Sequence, residues 1–209
     1  MKMEFEGIKL DSDLIKETKE IFEFEINKLE TKIYNISETE FNIASPKQLG
    51  EVLFEKLVLE SNPKKTKTGQ YSTSEDTLSK LAKKHEIIRL ILEWRSLQKL
   101  LTTYVYSLPK QIHPKSNKIH TEFNQTLTTT GRLSSTNPNL QNIPVRTDRG
   151  KLIRKSFIPK DKNYTLLCAD YSQVELRIIA FLSGDSNMKN AFINNCLLYT
   201  SDAADDDAC

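Results

Sequence analysis

Apolar residues recur at helical spacing through the first half of the chain. Residues 11–35 are predicted to form an amphipathic helix that begins with Asp11 or Ser12 as its cap and carries one apolar stripe. Its members are Leu14, Ile21, Phe22, Ile26, Leu29 and Ile33. A second stripe begins within residues 86–107, and its members are Leu90, Trp94, Leu97, Leu101, Tyr104 and Leu108. We interpret this second stripe as a seam that packs on another helix and ends at Pro109.

Two shorter helices are predicted between these long ones. In "SPKQLGEVLFEKL", Ser45 is the expected N-cap, Pro46 takes the first helical position and Gln48 completes a capping box. The apolar stripe of this helix is Leu49, Val52, Leu53 and Leu57. A polar, lysine-rich loop follows, and Thr73 together with Asp76 is predicted to cap the next helix.

The spacing of apolar residues changes after Pro109. "KIHTEFNQTL" alternates apolar and polar residues, as in a half-buried strand, and "LIRKSFIP" and "YTLLCAD" are two further strand candidates. "SQVELRIIAFL" is a predicted helix with Val174, Ile178 and Phe181 on one face, closed by Gly184. A helical first half followed by strands mixed with helix predicts an α+β fold.

Length and composition narrow the class of protein. The 209 residues are enough for one good core, or for one compact domain with an elongated appendage. No run of 18 apolar residues occurs and the N-terminus lacks an apolar signal region, so we expect neither a membrane span nor secretion. The cysteines, Cys168, Cys196 and Cys209, show no paired spacing, which favours a reducing cytoplasm over a disulfide framework or a zinc site.

The formal net charge of +2 conceals an uneven distribution of charge along the chain. Residues 1–60 carry 8 basic and 14 acidic side chains, residues 61–160 carry 19 and 6, and residues 161–209 carry 3 and 8. A basic centre between acidic ends is suited to binding a polyanion. A solvated, lysine-rich surface would produce the same charge bias, so the motifs must decide between the two.

Residues 128–157 combine breaks in regular structure with many side-chain donors. Gly131, Pro138 and Pro144 interrupt the segment, which is nevertheless anchored by apolar residues between its polar ones. The donors are Arg132, Ser134, Ser135, Asn137, Asn139, Gln141, Asn142, Arg146, Arg149 and Arg154. Arginine can bind phosphates, and asparagine and glutamine can bind acceptors in a nucleic-acid groove. The alternative is a structural Asn/Arg network that ties loops together.

A second candidate site lies where the apolar run "TLLCA" ends at Asp170, just before a predicted helix. A single aspartate in that position is most often a helix cap. Its surroundings favour another role. "TGRLSSTNPNLQNIPVR" followed by "ADYSQVELRIIAFLSGD" resembles the primer-template-binding motif and the first palm motif of the family A DNA polymerases. "PKKTKTGQYST", "FNIASPKQLGEVLFEKL" and "IHPKSNKIHTEFNQTLTTTGRL" are also similar to that family, and the resemblance covers roughly residues 3–193.

The resemblance implies a domain organisation and a set of catalytic roles. Residues 1–10 would be a palm-edge or linker segment, residues 11–108 the helical thumb, and residues 109–195 part of the antiparallel-sheet palm. Asp170 would be the first catalytic aspartate, binding Mg²⁺ together with the backbone carbonyl of Tyr171. Glu175 would select deoxynucleotides by blocking a ribose 2′-hydroxyl. The residues implied to lie at the incoming dNTP are Tyr171, Ser172, Gln173 and Glu175.

The resemblance also implies contacts with primer-template DNA. The thumb loop would grip the duplex through its phosphates with Lys64, Lys65, Lys67 and Thr68. Donors along the duplex near the primer end would be Arg132, Asn139, Gln141, Asn142, Arg146 and Arg154. For each lysine, an ordinary exposed loop is the competing interpretation. His113 and His120 are interpreted as structural or surface residues without a metal role. We expect a monomer in the cytoplasm, associated with the nucleoid.

Some features of the family pattern are not found in the sequence. The fingers helix and the motif with the second catalytic aspartate should follow residue 190, so we expect a polymerase fragment that is inactive alone. Residues 196–209 lack a helical stripe and are interpreted as a non-native tail, without which the net charge would be +6. The alternative is a naturally truncated, non-catalytic DNA-binding module. An RNA-synthesising relative is disfavoured by Glu175.

Overall fold

The computed structural model describes residues 2–194, which fall into two compact units that divide between Tyr164 and Thr165. The helices of the first unit are α1 (Lys2–Glu6), α2 (Ser12–Ser37), α3 (Pro46–Glu51), α4 (Glu75–Leu81), α5 (Glu86–Leu100) and α6 (Asp148–Lys155). The helices of the second unit are α7 (Val174–Ser183) and α8 (Ser186–Ile193). Two π-helical turns extend α3 and α5, and a 3-10 turn follows the second of them: Val52–Lys56, Leu101–Val105 and Leu108–Gln111.

The strands of the first unit pair in three small antiparallel sheets. The pairs are β1 (Lys9–Leu10) with β6 (Phe157–Ile158), β2 (Ile112–His113) with β3 (Lys118–Ile119), and β4 (Glu122–Asn124) with β5 (Ser134–Thr136). Leu10 lies opposite Phe157 and Phe123 lies opposite Ser135. Helices combined with small antiparallel sheets confirm the predicted α+β class. The alternation predicted through Leu127 ends earlier, since the strand stops at Asn124 and Leu127 is exposed.

Helix α2 begins at the predicted cap. The Asp11 carboxylate accepts hydrogen bonds from the backbone N–H groups of Asp13, at 3.0 Å, and Leu14, at 3.1 Å. The buried face of α2 differs from the predicted stripe in two places, since Leu14 and Ile21 are exposed. The residues that are buried are Ile15, Thr18, Phe22, Ile26, Leu29, Ile33 and Ser37. Leu14 and Ile21 each lie one residue before a member of this series, which turns them about 100° away from the core.

Helix α5 and its π-helical extension bury the predicted seam. All six seam residues are buried: Leu90, Trp94, Leu97, Leu101, Tyr104 and Leu108. Helix α5 packs against α2 within the hydrophobic core. The seam residues Trp94 and Tyr104 are packing residues, as predicted, and each also forms a hydrogen bond. The indole N–H of Trp94 donates to Glu30 Oε1 of α2 at 3.0 Å.

The capping box predicted for α3 is wrong in one half. Ser45 caps the helix, and its hydroxyl accepts the N–H of Gln48 at 3.5 Å. The Gln48 side chain does not return to the N–H of Ser45, because that group already donates to the carbonyl of Asn42 at 2.9 Å. Gln48 Oε1 instead accepts the N–H of Asn42 at 2.7 Å, which ties the incoming loop to the first turn of the helix.

The cap of α4 is Ser74, one residue after the predicted Thr73. The hydroxyl of Ser74 accepts the N–H of Thr77 at 3.4 Å. Thr73 is buried and has a different partner, because its backbone carbonyl and its hydroxyl both accept hydrogen bonds from the Arg95 guanidinium of α5. The predicted pairing of Thr73 with Asp76 is therefore wrong, and Thr73 fixes the loop before α4 to α5.

The first half of the strand predicted for "LIRKSFIP" is helix. Thr147 caps α6 by accepting the N–H of Gly150 at 3.1 Å, and Asp148 places a negative charge in the first turn. Ile153 is fully buried on the inner face of this helix. Only Phe157–Ile158 forms a strand. The cap and the acidic first turn therefore outweigh the β-propensity of the isoleucine-containing segment.

The strand predicted for "YTLLCAD" is also wrong. Residues 164–170 have no regular secondary structure, and Leu167 is 88% exposed. A strand needs a neighbouring strand for its backbone hydrogen bonds, and residues 165–194 supply only the helices α7 and α8. The helix predicted after this segment is confirmed as α7, and Gly184 closes it in the left-handed conformation with φ of 75°.

The remaining predictions concern the C-terminal tail, the cysteines, the subdomain boundaries and membrane-spanning helices. The predicted non-native tail from Cys196, together with Cys209, lies outside the described residues, while Cys168 is a free and exposed thiol. The proposed boundaries between linker, thumb and palm stay predictions. Among the described residues, every helix is too short or too polar to cross a lipid bilayer.

Replacing Leu97 with alanine should destabilise the first unit by about 2–5 kcal/mol, because Leu97 is fully buried in the α5 seam and its loss leaves a cavity. Urea unfolding followed by tryptophan fluorescence would measure this, since Trp94, the single tryptophan, lies in the same core. Arg89→Ala, at an exposed position of α5, should change stability by less than about 0.5 kcal/mol. Equal stabilities of the two variants would contradict the packing described for α5.

Candidate nucleic-acid interface

The four predicted thumb-loop contacts lie together on one exposed hairpin. Residues 64–72 fold back on themselves through a bridge between Lys65 and Tyr71 and through a 2.7 Å hydrogen bond from the Thr66 N–H to the Gln70 carbonyl. Gly69 turns the tip with φ of +80°. The exposed residues of this hairpin include Lys64, Lys65, Lys67 and Thr68. The hairpin therefore presents three ammonium groups and a hydroxyl on one short segment.

Two grooves run beside α5 and share one lysine. The first, of about 660 Å³, lies between the 64–72 hairpin and α5. The second, of about 670 Å³, lies between the C-terminal half of α5 with its extension and residues 137–144. Lys99 lines both grooves. Among the described residues that line them, none is acidic, so both grooves suit an anionic ligand.

The polar face of α5 was not among the features predicted from the sequence. The groove residues on this face, with its extension, are Ser96, Lys99, Thr103 and Ser107, spaced 3, 4 and 4 residues apart. This is helical spacing on the side of the helix away from the buried seam. The sequence carried the signal, because a polar stripe with hydroxyls and one lysine lay opposite the apolar stripe. Attention to the apolar stripe alone did not reveal it.

The loop that follows β5 is organised around the hydroxyl of Ser135. Ser135 is buried, and its Oγ donates to Asn139 Oδ1 at 3.0 Å while accepting the N–H groups of Leu140, at 3.1 Å, and Gln141, at 3.3 Å. Asn139 Oδ1 also accepts the N–H of Gln141, at 3.0 Å. Residues 137–141, beyond the end of β5, therefore have a defined irregular backbone that is held by side-chain-to-backbone bonds.

The next part of the loop is attached to the end of α5. The Tyr104 hydroxyl donates to the backbone carbonyl of Asn142 at 2.6 Å, and burial raises the pKa of Tyr104, which keeps its proton available for this bond. Ile143 is buried in the core beside them. The backbone of Asn142 is thus fixed, while Asn139 and Asn142 line the second groove.

The remaining predicted DNA contacts are exposed but less concentrated. These residues are Arg132, Gln141, Arg146 and Arg154. All four lie in the first unit but outside the lining of both grooves. Arg132 precedes β5, where its carbonyl accepts the Thr128 hydroxyl, and Arg154 lies on α6. The structure therefore brings Asn139 and Asn142 together with Lys99, whereas these four residues do not line either groove.

Arg149, one of the donors noted in the sequence, faces the protein itself. It is partly buried, and its guanidinium pairs with Glu25 of α2 and Glu93 of α5. Burial alone would lower the pKa of Arg149, but the contacts with Glu93 and Glu25 outweigh that effect and leave the pKa raised. For this arginine, the interpretation as a member of a structural network is correct.

The second unit carries the predicted catalytic and nucleotide-binding residues. Asp170 and Tyr171 are exposed in a segment without regular secondary structure, Ser172 is exposed in the turn that follows, and Gln173 adopts a left-handed conformation with φ of 51° directly before α7. Glu175 is exposed in the first turn of that helix, where a negative charge is favourable. The sharp change of direction at Gln173 separates the exposed carboxylate of Asp170 from the helix.

Arg177 holds this turn in place within the second unit. Its Nε donates to the Ser172 carbonyl at 2.9 Å, and its guanidinium carbon lies 4.5 Å from the ring centroid of Phe192 in α8. Stacking on an aromatic ring leaves the planar guanidinium free to bond in its own plane. The segment that carries Tyr171 and Ser172 is therefore tied to both helices of the unit.

The oxygen donors at Asp170 are of the kind that Mg²⁺ prefers. Mg²⁺ commonly binds through one or two carboxylates together with substrate phosphates and water, and does not need a complete cage of protein ligands. Two successive exposed residues, Asp170 with its carboxylate and Tyr171 with its backbone carbonyl, supply oxygen donors that fit that mode. Among residues 2–194, no group of three or more His, Cys, Asp and Glu side chains is placed to hold a metal ion.

The two histidines after Pro109 have structural contacts. The rings of His113 and His120 meet edge to face, with centroids 5.8 Å apart. His120 Nδ1 lies 2.8 Å from the Glu4 carbonyl and its Nε2 lies 2.7 Å from the Ser116 hydroxyl, so both ring nitrogens have partners within the protein. These contacts join α1 to the β2–β3 hairpin and agree with the structural role predicted for both residues.

Comparison with known proteins gives consistent matches over nearly the whole chain. The model of DNA polymerase family A matches residues 12–205. DNA polymerase I of Bacillus subtilis is 50% identical over 204 residues, which is 98% of this chain and 23% of that protein. DNA polymerase I of Caldicellulosiruptor bescii is 54% identical over 205 residues, which is 98% of this chain and 24% of that protein. The chain thus spans about a quarter of the length of these relatives.

A solved structure agrees with the sequence matches. The POL domain of Pol1 from M. smegmatis, in complex with DNA primer-template and dNTP, superposes with a TM-score of 0.77 at 39% identity, over 91% of this chain and 33% of that one. The family model extends over far more than half of the chain, and the relatives share about half of their aligned residues with it. The chain belongs to DNA polymerase family A.

Proposed function

We propose that residues 2–164 bind the duplex formed by a primer and its template. The observation that carries this proposal is the arrangement along α5: the basic hairpin, Lys99 and the asparagines of residues 137–144 border two non-acidic grooves that share Lys99 within one unit. Lysines that contact phosphates give affinity without sequence preference. Asparagine donors at minor-groove acceptors, which are nearly the same for every base pair, tolerate any sequence. A polymerase needs both properties. The primer-template bound by the M. smegmatis relative supports the same ligand.

We propose further that Asp170 and its neighbours serve nucleotidyl transfer from a dNTP to the primer 3′-hydroxyl in a longer polymerase. Asp170 and the carbonyl of Tyr171 would hold Mg²⁺, which when bound neutralises phosphate charge and activates the hydroxyl. Ser172 and Gln173, in the turn fixed by Arg177, would lie beside the nucleotide. Glu175 would exclude a ribose 2′-hydroxyl. The dNTP in the M. smegmatis complex supports this assignment.

Lys99→Ala should weaken the binding of a primer-template duplex and reduce the steepness of its salt dependence. Each lost phosphate contact should lower the slope of log K against log salt by about 1. Fluorescence anisotropy with a labelled duplex between 50 and 200 mM KCl would measure both effects, and Lys67→Ala in the hairpin should behave alike. Lys32→Ala, an exposed lysine of α2 outside the lining of both grooves, is the matched control. Equal losses for Lys32 and Lys99 would contradict the proposed surface.

The 209-residue chain alone should not extend a primer. Within the described residues Asp170 has no second and third metal-ligating side chain beside it, so two metals would not be held for the reaction. A gel assay with labelled primer-template, Mg²⁺ and four dNTPs should show no product above a heat-denatured control. Template-directed extension that Asp170→Asn abolishes would contradict this expectation, and would show that the chain forms a working site by itself.

A further inference from the structure

Arg149 connects three helices of the first unit. It lies in the first turn of α6, and its Nε donates to Glu25 Oε2 of α2 at 2.8 Å. Its Nη2 lies 2.7 Å from the same oxygen and donates to Glu93 Oε1 of α5 at 2.6 Å. The forked guanidinium is the side chain best suited to bridging two carboxylates in this way. We name Glu25, Arg149 and Glu93 the carboxylate clamp.

The position of Arg149 in α6 indicates that the clamp has a specific role. A positive charge in the first turn of a helix opposes the helix dipole, so this location is unfavourable for arginine unless other groups compensate. The two carboxylates compensate, and the Arg149 side chain is only 28% exposed. Isolated surface ion pairs contribute little, whereas a partly buried network with short, forked contacts is the recognised exception. The geometry therefore favours an anchor over an incidental surface pair.

The clamp acts on the segment that carries predicted DNA contacts. Arg146 precedes α6 by two residues, and Thr147 caps that helix. Gly150, in the same turn as Arg149, lies so close to the loop that a Cβ there would be 2.6 Å from the Pro144 carbonyl oxygen. Because α6 packs closely on Pro144 and begins two residues after Arg146, its position constrains where both residues lie. At the other end, Tyr104 holds the Asn142 carbonyl at 2.6 Å. Residues 142–149 are thus attached to the extended α5 at one end and to both α2 and α5 at the other.

We propose that Arg149 is a positioning residue for DNA binding. Without touching the nucleic acid, it fixes α6 against α2 and α5 and so sets the placement of Arg146 and the second groove beside the duplex. This inference rests on the proposed binding of primer-template DNA. It predicts a change in DNA affinity opposite to the change that charge alone would cause. Removing the negative charge of Glu93 should strengthen attraction for a polyanion, but if the clamp positions the loop, the same change should weaken binding.

Two conservative variants and one control test the proposal in the full chain. Glu93→Gln keeps the shape of the side chain and removes its charge, and Arg149→Lys keeps the charge and removes the fork. Glu20→Gln, at an exposed position of α2, removes the same charge outside the clamp. Dissociation constants for a labelled primer-template duplex are measured over a range of KCl concentrations. Amide hydrogen exchange of residues 143–150 is followed in parallel without DNA, and reports on the loop directly.

We expect Glu93→Gln and Arg149→Lys each to weaken duplex binding about fivefold and to accelerate exchange in residues 143–150. The double variant should bind the duplex about as tightly as the more weakly binding of the two single variants, because both changes break the same network. In an additional variant that removes the charge, Arg149→Gln, the salt slope should be unchanged, whereas loss of a phosphate contact would lower it by about 1. Glu20→Gln should bind as tightly as the original chain or slightly tighter.

Three results would overturn the positioning role. Glu93→Gln could bind DNA as tightly as Glu20→Gln. Exchange in residues 143–150 could be unchanged in both clamp variants. The salt slope of Arg149→Gln could fall by about 1, which would make Arg149 a direct phosphate contact. If the original chain binds no duplex while exchange still accelerates in the variants, the proposed function itself fails and the role in DNA binding fails with it, although the clamp then still anchors α6.

Discussion

The packing of α2 on α5 is the constraint on which the rest of the first unit depends. Burial of the facing leucine and isoleucine side chains supplies the main driving force, since each fully buried side chain of this size contributes about 1.5–3 kcal/mol. Two hydrogen bonds then fix how the helices lie against each other. The Trp94 indole donates to Glu30, and the hydroxyl of Tyr106, which follows the extension of α5, donates to Glu23 at 2.7 Å. Because α5 is buried on this side, its opposite face is left to form the walls of both grooves.

The segments that approach DNA in our account are attached to this helix pair by individual polar contacts. Arg95 holds the backbone before α4, Tyr104 holds the backbone at Asn142, and Arg149 holds α6. Each of these side chains reaches a segment distant in sequence. This is how a loop without a sheet of its own keeps a defined shape. It also means that the shape depends on a few bonds, any of which a single substitution removes.

The sequence was sufficient for the parts of the fold that obey simple periodicity. The α5 seam, the caps at Asp11 and Ser45 and the left-handed Gly184 were all predicted correctly, because apolar spacing and capping residues act locally. The strands at residues 152–159 and 164–170 were predicted wrongly for two different reasons. In the first, the local cap at Thr147 outweighed β-propensity, and in the second, an apolar run has no strand beside it among the described residues. The spacing of apolar residues does not show whether another strand lies beside the segment.

The candidate site likewise combines features that local sequence patterns predict with features that depend on contacts between distant segments. Family motifs predicted the asparagines and Asp170 as site residues, but the contacts of Arg149 are with Glu25 and Glu93, which lie 124 and 56 residues away in the sequence. No local pattern distinguishes an arginine that meets phosphate from one that meets carboxylates. Lys99 was overlooked because its helix was interpreted only from its apolar side. Tertiary contacts therefore decide which members of a basic, donor-rich segment remain available for DNA.

The central claim is that the 64–72 hairpin, Lys99 and residues 137–146 form one surface for duplex DNA. The most direct test is to map amide chemical-shift changes in the labelled chain on titration with a short primer-template duplex. Our account predicts the largest changes in these three segments, with saturation at a common DNA concentration. Changes centred instead on the β2–β3 hairpin and α1, or changes in the three segments that saturate at different concentrations, would contradict it.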